Sequence, residues 1–96
     1  MAVKGFEILF RPEVEGELKL VDARLRRRIL AAIRDRLGAD PERYGRPLGG
    51  SLLGLRRIRC GDYRVAYQVR KRRVVVWAVL HRKAIYAELE RRLRRL

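Results

Sequence analysis

Residues 55–81 have the sequence LRRIRCGDYRVAYQVRKRRVVVWAVLH, and this stretch decides the fold. Three segments of it predict strands: 55–60, 63–70 and 73–80. In the middle segment apolar and polar side chains alternate, which predicts a strand with one buried face. The last segment is a nearly continuous β-branched run, which predicts a central strand. The turns Gly61-Asp62 and Lys71-Arg72 are short, so the stretch predicts an antiparallel three-strand meander.

The segments before this stretch predict a strand and two helices. Apolar residues alternate over residues 3–10, which predicts a half-buried strand. Pro12 is tolerated in the first turn of a helix, and Asp22 is a suitable N-cap for a second helix. Apolar residues recur at helical spacing from 25 to 37, and Gly38 ends the pattern. The two helices therefore predict a hairpin that lies across one face of the sheet.

The remaining segments complete a small α+β domain. Glycine and proline are frequent in residues 39–54, which predicts an irregular connector. An apolar stripe at helical spacing after Lys83 predicts a C-terminal helix. The whole is one domain over residues 1–96, with an N-terminal strand, a helical hairpin, an antiparallel three-strand meander and a C-terminal helix. We expect the helices to cover one sheet face and the strand arginines to occupy the other.

The composition is that of a strongly basic protein with a hydrophobic core. The 96 residues include 25 Lys or Arg and 11 Asp or Glu, which gives a formal net charge of +14, and 48% of them are hydrophobic. The chain lacks an apolar run of ~18 residues, so we expect no membrane span. The N-terminal segment lacks the long apolar region of a secretion signal, which favours the cytoplasm. Cys60 is the single cysteine and cannot form an internal disulfide.

The excess positive charge is concentrated in the second half of the chain. Residues 49–96 hold 14 basic and 3 acidic residues, whereas residues 1–48 hold 11 and 8. Arg57 and Arg59 are two positions apart on a strand and therefore point to the same face, and Arg64 projects away from the apolar side of its strand. Several guanidiniums on one sheet face are typical of a surface that binds a polyanion.

Cleavage of RNA through its own 2′-hydroxyl would require further groups beside these arginines. The reaction needs a proton acceptor, a donor for the leaving 5′-oxygen and cations for the developing charge. His81 belongs to the residue type that titrates near neutral pH, and Tyr86 follows it by five positions. The sequence has no carboxylate cluster of the kind that holds a catalytic metal, so we expect neither a metal nor a cofactor.

Four motifs within residues 46–86 resemble the signature region of the RelE/ParE superfamily, the small basic toxins of bacterial and archaeal toxin–antitoxin pairs. They are PLG at 47–49, GLRRIR at 54–59, GDYRVAY at 61–67 and HRKAIY at 81–86. They follow the superfamily's order and spacing, and the preceding helical hairpin also fits. The resemblance implies a toxin of a type II toxin–antitoxin system with the RelE-like fold.

The resemblance to the RelE branch further implies a ribosome-dependent endoribonuclease that cleaves mRNA in the ribosomal A site, using the RNA 2′-hydroxyl and no metal. It implies that Arg64 contacts the scissile phosphate, that Arg82 stabilises the transition state, and that Tyr86 stacks on or protonates near the substrate base. Arg57 falls where some members have a catalytic lysine, and with His81 it completes the predicted catalytic set. The predicted RNA-binding cations beside this set are Arg56, Arg59 and Lys83.

The identity of the general base stays open at this point. Leu55 stands where some members have another lysine, and Arg57 is a poor proton acceptor because the pKa of a guanidinium exceeds ~12. His81 or Tyr86 would then take the proton. Alternatively, the rate would rest on charge stabilisation and on geometry that the ribosome imposes.

The resemblance also implies partners and leaves two other functions open. The partners are the ribosome, mRNA and an acidic antitoxin that neutralises the toxin in a heteromeric complex. A ParE-like member would instead inhibit DNA gyrase without being an enzyme. An inactive RNA-binding relic is a third reading, which Leu55 favours, whereas His81, Arg82 and Tyr86 favour the RelE branch.

Overall fold

The computed structural model describes residues 5–96 and shows a five-stranded sheet with helices on both faces. The elements are β1 (Glu7–Phe10), α1 (Pro12–Lys19), α2 (Ala23–Ala32), α3 (Pro41–Tyr44), β2 (Arg46–Pro47), β3 (Arg56–Cys60), β4 (Tyr63–Arg70), β5 (Arg73–His81) and α4 (Ile85–Arg94). A π-helical turn, Ile33–Leu37, extends α2, and a 3₁₀ turn, Gly50–Leu52, precedes β3. The predicted α+β order is confirmed, although residues 3 and 4 of the predicted first strand lie outside the described residues. No helix described within residues 5–96 is long and apolar enough to cross a membrane.

The sheet has the strand order β1-β5-β4-β3-β2. Strands β3, β4 and β5 form the predicted antiparallel meander, and β1 pairs with β5 in parallel. The short β2 pairs antiparallel with β3 at the edge of the sheet. The connector 39–54, predicted to be irregular, therefore contributes both an edge strand and the one-turn helix α3.

The helical hairpin α1–α2 packs on one face of the sheet, as predicted. Asp22 is the N-cap of α2, and its Oδ1 accepts a hydrogen bond from the Leu25 backbone N–H (3.0 Å). The apolar positions predicted for the two helices are buried against β3, β4 and β5; they include Val14, Ile29 and Leu37. This face holds the larger of the two buried apolar clusters. Each fully buried side chain in it contributes roughly 1.5–3 kcal/mol by leaving water.

The opposite face is also covered in part, so the expectation that helices cover only one face is wrong. A second buried cluster lies there; its members are Leu52, Leu55, Ala66, Trp77, Ala78, Ile85 and Leu89. Helix α4 packs on β5 in this cluster. The physical reason is that β5 is apolar on both sides and requires a covering element on each face. Arg57 and Arg59 of β3 and Arg64 of β4 occupy the remaining part of this face.

A buried ion pair ties α4 to α1 at the edge of β5. Arg92 is 5% exposed, and its guanidinium donates hydrogen bonds to the Glu17 carboxylate of α1 and to the Trp77 carbonyl (2.6 Å). Glu17 in turn accepts a hydrogen bond from the Val79 backbone N–H (2.9 Å). Because β1 pairs only with residues 73–76 of β5, these two side chains satisfy backbone groups of β5 beyond the end of β1.

Glu88 makes the stability of the fold sensitive to acid. Hydrogen bonds from Arg91 and Arg92 lower the pKa of Glu88 from 4.5 to about 2. Because the folded-state pKa is the lower one, the stabilisation is fully present above pH 4.5 and is lost as the pH falls toward 2. We expect the difference in urea midpoint between the wild type and Glu88→Gln to shrink steadily from about pH 5 to about pH 2.5. Glu15→Gln, at an exposed position of α1, is the control, and an equal pH trend in both variants would contradict this assignment.

Tyr67 anchors the connector to the sheet. Its side chain is fully buried, and its hydroxyl donates a hydrogen bond to the Pro41 carbonyl (2.5 Å). Gly45 lies directly against this hydroxyl, since a Cβ atom on Gly45 would come within 1.6 Å of the oxygen. Arg56 donates hydrogen bonds to the carbonyls of Glu42 (2.6 Å) and Gly45 (3.0 Å). These contacts fix α3 and β2 beside β3.

Candidate nucleic-acid interface

Three of the predicted arginines share one face of the sheet. In the β3–β4 register Arg57 lies opposite Ala66, and Arg59 lies opposite Arg64. Directly paired residues of antiparallel strands share a face, and residues two apart on a strand do so as well. Because Ala66 belongs to the cluster under α4, these arginines lie on the face that α4 covers in part. The predicted common orientation of Arg57, Arg59 and Arg64 is confirmed.

Arg46 joins this group, and the sequence analysis missed it. In the β2–β3 register Arg46 lies opposite Arg57 and therefore on the same face. In the sequence, Arg46 is a basic residue within a segment rich in glycine and proline. That segment shows no alternation of apolar and polar residues, so the face of the sheet on which Arg46 lies could not be predicted. We call the four residues Arg46, Arg57, Arg59 and Arg64 the arginine face.

Arg64 is held in a fixed orientation at the β3–β4 turn. Its Nη1 donates hydrogen bonds to the carbonyls of Gly61 (2.9 Å) and Tyr63 (3.0 Å). Arg82 reaches the same turn from the end of β5, because its backbone N–H donates to the Asp62 carbonyl (2.7 Å) and its Nε lies 3.7 Å from Asp62 Oδ1. The structure therefore brings Arg64 and Arg82 to one turn of the sheet.

His81 lies on the other face of the sheet from the arginine face. It pairs with Tyr63, and the two rings meet edge to face with centroids 5.8 Å apart. Tyr63 packs against the core beneath the helical hairpin, opposite in direction to Arg64. His81 Nδ1 accepts a hydrogen bond from the Lys83 backbone N–H (3.1 Å), so the neutral ring carries its proton on Nε2. The expectation that His81 converges with the arginines on one face is wrong, because strand register sends its side chain the other way.

Tyr86 lies on the same side of the sheet as the arginine face. It is half-buried at the start of α4, where it packs against the cluster that contains Ala66 and Leu80. Leu80 is the register partner of Arg64. Lys83 is exposed in the turn between β5 and α4. Tyr86 and Lys83 thus border the end of the sheet where Arg64 and Arg82 meet.

Arg56 is separated from the other predicted RNA-binding residues. It lies opposite Tyr67 in the register and therefore faces the helical hairpin. Its guanidinium holds the carbonyls of Glu42 and Gly45, as described above. The position favours a structural role for Arg56, in place of the RNA contact predicted from its neighbours in sequence.

Cys60 has the environment of a structural residue. Burial raises the pKa of the Cys60 thiol, and Arg36, Arg28 and Arg64 oppose this shift in part. The thiol therefore stays protonated at neutral pH, and a protonated thiol is a weak nucleophile. Within residues 5–96, no three side chains of His, Cys, Asp or Glu are grouped so that they could hold a metal ion.

Comparison with known protein families identifies the group to which this fold and surface belong. Residues 8–86 match the family described as the ParE toxin of the type II toxin–antitoxin system, parDE. The chain belongs to this family. It is therefore a toxin of a type II toxin–antitoxin system, and its predicted place in the RelE/ParE superfamily is confirmed.

Solved structures of other toxins share the fold. The chain is similar to one in the RelBE2 toxin–antitoxin complex from Mycobacterium tuberculosis (24% identity, 83% of this chain and 94% of that one, TM-score 0.77). It is also similar to a chain of the RelB–RelE antitoxin–toxin complex from Methanococcus jannaschii (26% identity, covering 83% of this chain and 96% of that one, TM-score 0.64). A third match is the YoeB/ParE toxin from Agrobacterium tumefaciens (17% identity, 79% and 98%, TM-score 0.64). No curated protein matches the chain in sequence.

Proposed function

We propose that this toxin is a ribosome-dependent endoribonuclease that cleaves A-site mRNA, with the RNA 2′-hydroxyl as the nucleophile and no metal. The arginine face is the observation that carries the proposal. Within residues 5–96, none of its four guanidiniums lies in a salt bridge with a carboxylate. Attack of the 2′-hydroxyl on the adjacent phosphate places additional negative charge on the phosphorane oxygens. Guanidiniums that are already in position stabilise this charge without reorganisation.

Arg64 is the residue best placed to contact the scissile phosphate. Its Nη1 is used by two carbonyls of the turn, so the orientation of the guanidinium is set before RNA binds. Its Nε and Nη2 remain to donate two parallel hydrogen bonds to phosphate oxygens. Arg82 at the same turn would add a second cation, and Arg57 and Arg59 would bind the RNA strand on the β3 side of Arg64.

Tyr86 is the better placed of the two residues that could transfer a proton. His81 faces away from the arginine face, and its Nδ1 is occupied by the Lys83 N–H. Tyr86 lies on the same side of the sheet as Arg64 and carries a phenol that can donate or accept a proton. We therefore assign proton transfer or base stacking to Tyr86, with His81 in a positioning role at the end of β5.

An acidic antitoxin is the partner that would hold the toxin inactive in the cytoplasm. The net charge of +14 favours association with an acidic partner. An apolar groove of about 420 Å³ lies between β1 and α2 and is lined by Phe6, Phe10 and Leu30, with Arg34 beside it. An amphipathic acidic helix would bury its apolar side there and neutralise the basic rim. The similar chains from M. tuberculosis and M. jannaschii were solved in antitoxin complexes, which supports this assignment.

The proposal predicts a loss of mRNA cleavage when Arg64 or Tyr86 is changed. Purified toxin added to ribosomes with a defined A-site codon is expected to cut the mRNA, as measured by primer extension. Arg64→Gln should lower the cleavage rate by about 10²–10³-fold, because it removes one charged donor from the transition state. Tyr86→Phe should lower it by about 10²-fold or more, because it keeps the ring and removes the hydroxyl that would transfer the proton.

Two variants control for general effects on this assay. Arg27→Gln removes a cation from the exposed side of α2 and should leave the rate within about twofold. His81→Gln should have a much smaller effect than Tyr86→Phe. Wild-type toxin that leaves A-site mRNA intact would refute the nuclease proposal.

Inhibition of DNA gyrase without catalysis is the second candidate function. It is favoured by the family match, whose description is that of the ParE toxin, and by the separation of His81 from the arginine face. The two functions differ in what fails first in cells. Expression of the toxin should stop amino-acid incorporation within minutes if it is a nuclease, and should first induce DNA-damage signalling if it inhibits gyrase.

A further inference from the structure

A basic cleft lies at the edge of the sheet where β2 begins beside β3. Its volume is about 200 Å³. It is lined by Arg36, Tyr44, Arg46, Arg57, Ile58 and Arg59. Arg36 comes from the π-helical turn and Tyr44 from the end of α3, so the cleft continues the arginine face around the edge of the sheet.

The positive charge of this cleft lacks an internal counter-charge. Arg46 faces Arg57 directly across the strands, and Arg59 faces Arg64. Like charges directly opposite each other destabilise a sheet. Among residues 5–96, no carboxylate forms a salt bridge with an arginine of the cleft, and Arg57 Nε is buried without a hydrogen-bond partner. An anion in the cleft would relieve the repulsion and could provide the missing acceptor.

Tyr44 gives the cleft a stacking surface as well as charge. Its side chain is 50% exposed although it is a large aromatic residue. The guanidinium of Arg43 lies over its ring at 6.0 Å from the centroid, which supports one side of the ring. An exposed aromatic ring among arginines is the combination that binds single-stranded nucleic acid, with the ring under a base and the guanidiniums on phosphates.

We propose that this cleft binds one nucleotide of single-stranded RNA beyond the nucleotides held at Arg64. Arg46 and Arg57 contact its phosphate, and Tyr44 stacks on its base. Residues two apart on β3 are spaced by about 6.6 Å, which allows Arg57 and Arg59 to follow successive phosphates of one strand. The choice of RNA as ligand rests on the proposed function. The cleft would then hold the mRNA strand in register with the turn at which Arg64 and Arg82 meet.

The test is the binding of a labelled 2′-O-methyl RNA hexanucleotide, followed by fluorescence anisotropy without ribosomes. The 2′-O-methyl groups prevent cleavage, so the assay reports binding alone. Tyr44→Ala is expected to weaken binding about 5- to 100-fold, and Tyr44→Phe should retain it because the stacking surface remains. Arg46→Gln should reduce the slope of log affinity against log salt by about 0.7, the value for one phosphate contact on a single strand.

A second readout separates this role from that of a solvated surface arginine. Arg46→Gln removes a like-charge pair, so the thermal midpoint of the free toxin should rise by about 1–4 °C while RNA binding weakens. Arg27→Gln, on the exposed side of α2, should change neither quantity. A Tyr44→Ala variant that binds the hexanucleotide within about twofold of the wild type would overturn the inference.

The outcome is independent of whether the toxin cleaves mRNA. A wild type that binds the hexanucleotide through Tyr44 but leaves ribosomal mRNA intact would overturn the nuclease proposal and support the cleft. If the wild type cuts ribosomal mRNA, and Tyr44→Ala changes neither the cleavage efficiency nor the affinity for the hexanucleotide, the nuclease proposal is supported and the cleft proposal is overturned. If Tyr44→Ala instead loses affinity for an acidic peptide and keeps its affinity for RNA, the cleft is a protein-binding site and the inference is wrong.

Discussion

Replacement of Arg92 by alanine is expected to lower the free energy of unfolding by about 3–5 kcal/mol. Arg92 is 5% exposed, and its guanidinium neutralises the Glu17 carboxylate, whose side chain is 11% exposed, while it donates to the Trp77 carbonyl. Without Arg92, a charge and a carbonyl lose their partner in the interior, which costs more than the intact pair contributes. Since small domains are stable by about 5–15 kcal/mol, the loss is a large fraction of the total. Urea unfolding followed by the fluorescence of Trp77, the single tryptophan, measures it.

The neighbouring arginine provides a matched control. Arg91 also bonds to Glu88, but its side chain is 52% exposed and water screens the pair, so Arg91→Ala should cost far less stability than Arg92→Ala. A loss at Arg92 no larger than the loss at Arg91 would contradict the role of the buried pair. The double change of Glu17 and Arg92 to leucine should recover only part of the loss. The double change removes both charges. It also leaves the Val79 N–H without a hydrogen-bond acceptor and the Trp77 carbonyl without a donor, at a cost of about 1–3 kcal/mol.

The Arg92 contacts also bear on the candidate site. They fix the C-terminal part of α4 to α1 and β5, and Tyr86 lies in the first turn of the same helix. A variant with a loosened α4 would therefore move Tyr86 relative to Arg64. For this reason, activity in Arg92 variants should be compared at temperatures where each variant remains folded.

Local patterns made most of the fold predictable from the sequence. The alternation of residues 63–70 and the short turns on either side of β4 specify pairing between adjacent segments, so the meander followed directly. The parallel pairing of β1 with β5 joins residues more than 60 positions apart, and local periodicity carries no information about it. The same holds for α3 and β2, whose positions depend on the contact of Tyr67 with Pro41 and Gly45.

The candidate site was predictable only where alternation was visible. Arg57 and Arg59 flank Ile58, which is buried in the hairpin-side core, so their common face could be read from the sequence. His81 is the last residue of β5, and the apolar residues before it do not alternate with polar ones. The sequence therefore does not indicate on which face of the sheet the His81 side chain lies. The register between β4 and β5 also shifts at a β-bulge between Ala66 and Tyr67. Because of this shift, the face on which a β5 side chain lies cannot be deduced by counting residues from β4. The position of His81 therefore required its pairing with Tyr63.

Replacement of Gly45 by alanine is expected to lower the free energy of unfolding by about 2–4 kcal/mol. Gly45 has a φ of −97°, which any residue adopts, so the cost is steric. The added methyl group would lie 1.6 Å from the Tyr67 hydroxyl oxygen and 2.6 Å from the ring carbon that bears it. Tyr67 is fully buried and cannot move without giving up its hydrogen bond to the Pro41 carbonyl.

The contact between Gly45 and Tyr67 can be isolated with a second substitution and a control glycine. Tyr67→Phe removes the atom closest to the new methyl group, so the double variant should lose less stability than the sum of the two single losses. Gly49→Ala places its methyl group where no atom lies within 4 Å, so its cost should stay below about 1 kcal/mol. Equal stability of Gly45→Ala and Gly49→Ala would show that the connector is not fixed at this point. Because Gly45 precedes Arg46, a displaced connector would also move Arg46 away from Arg57, and affinity for the RNA hexanucleotide should fall together with stability.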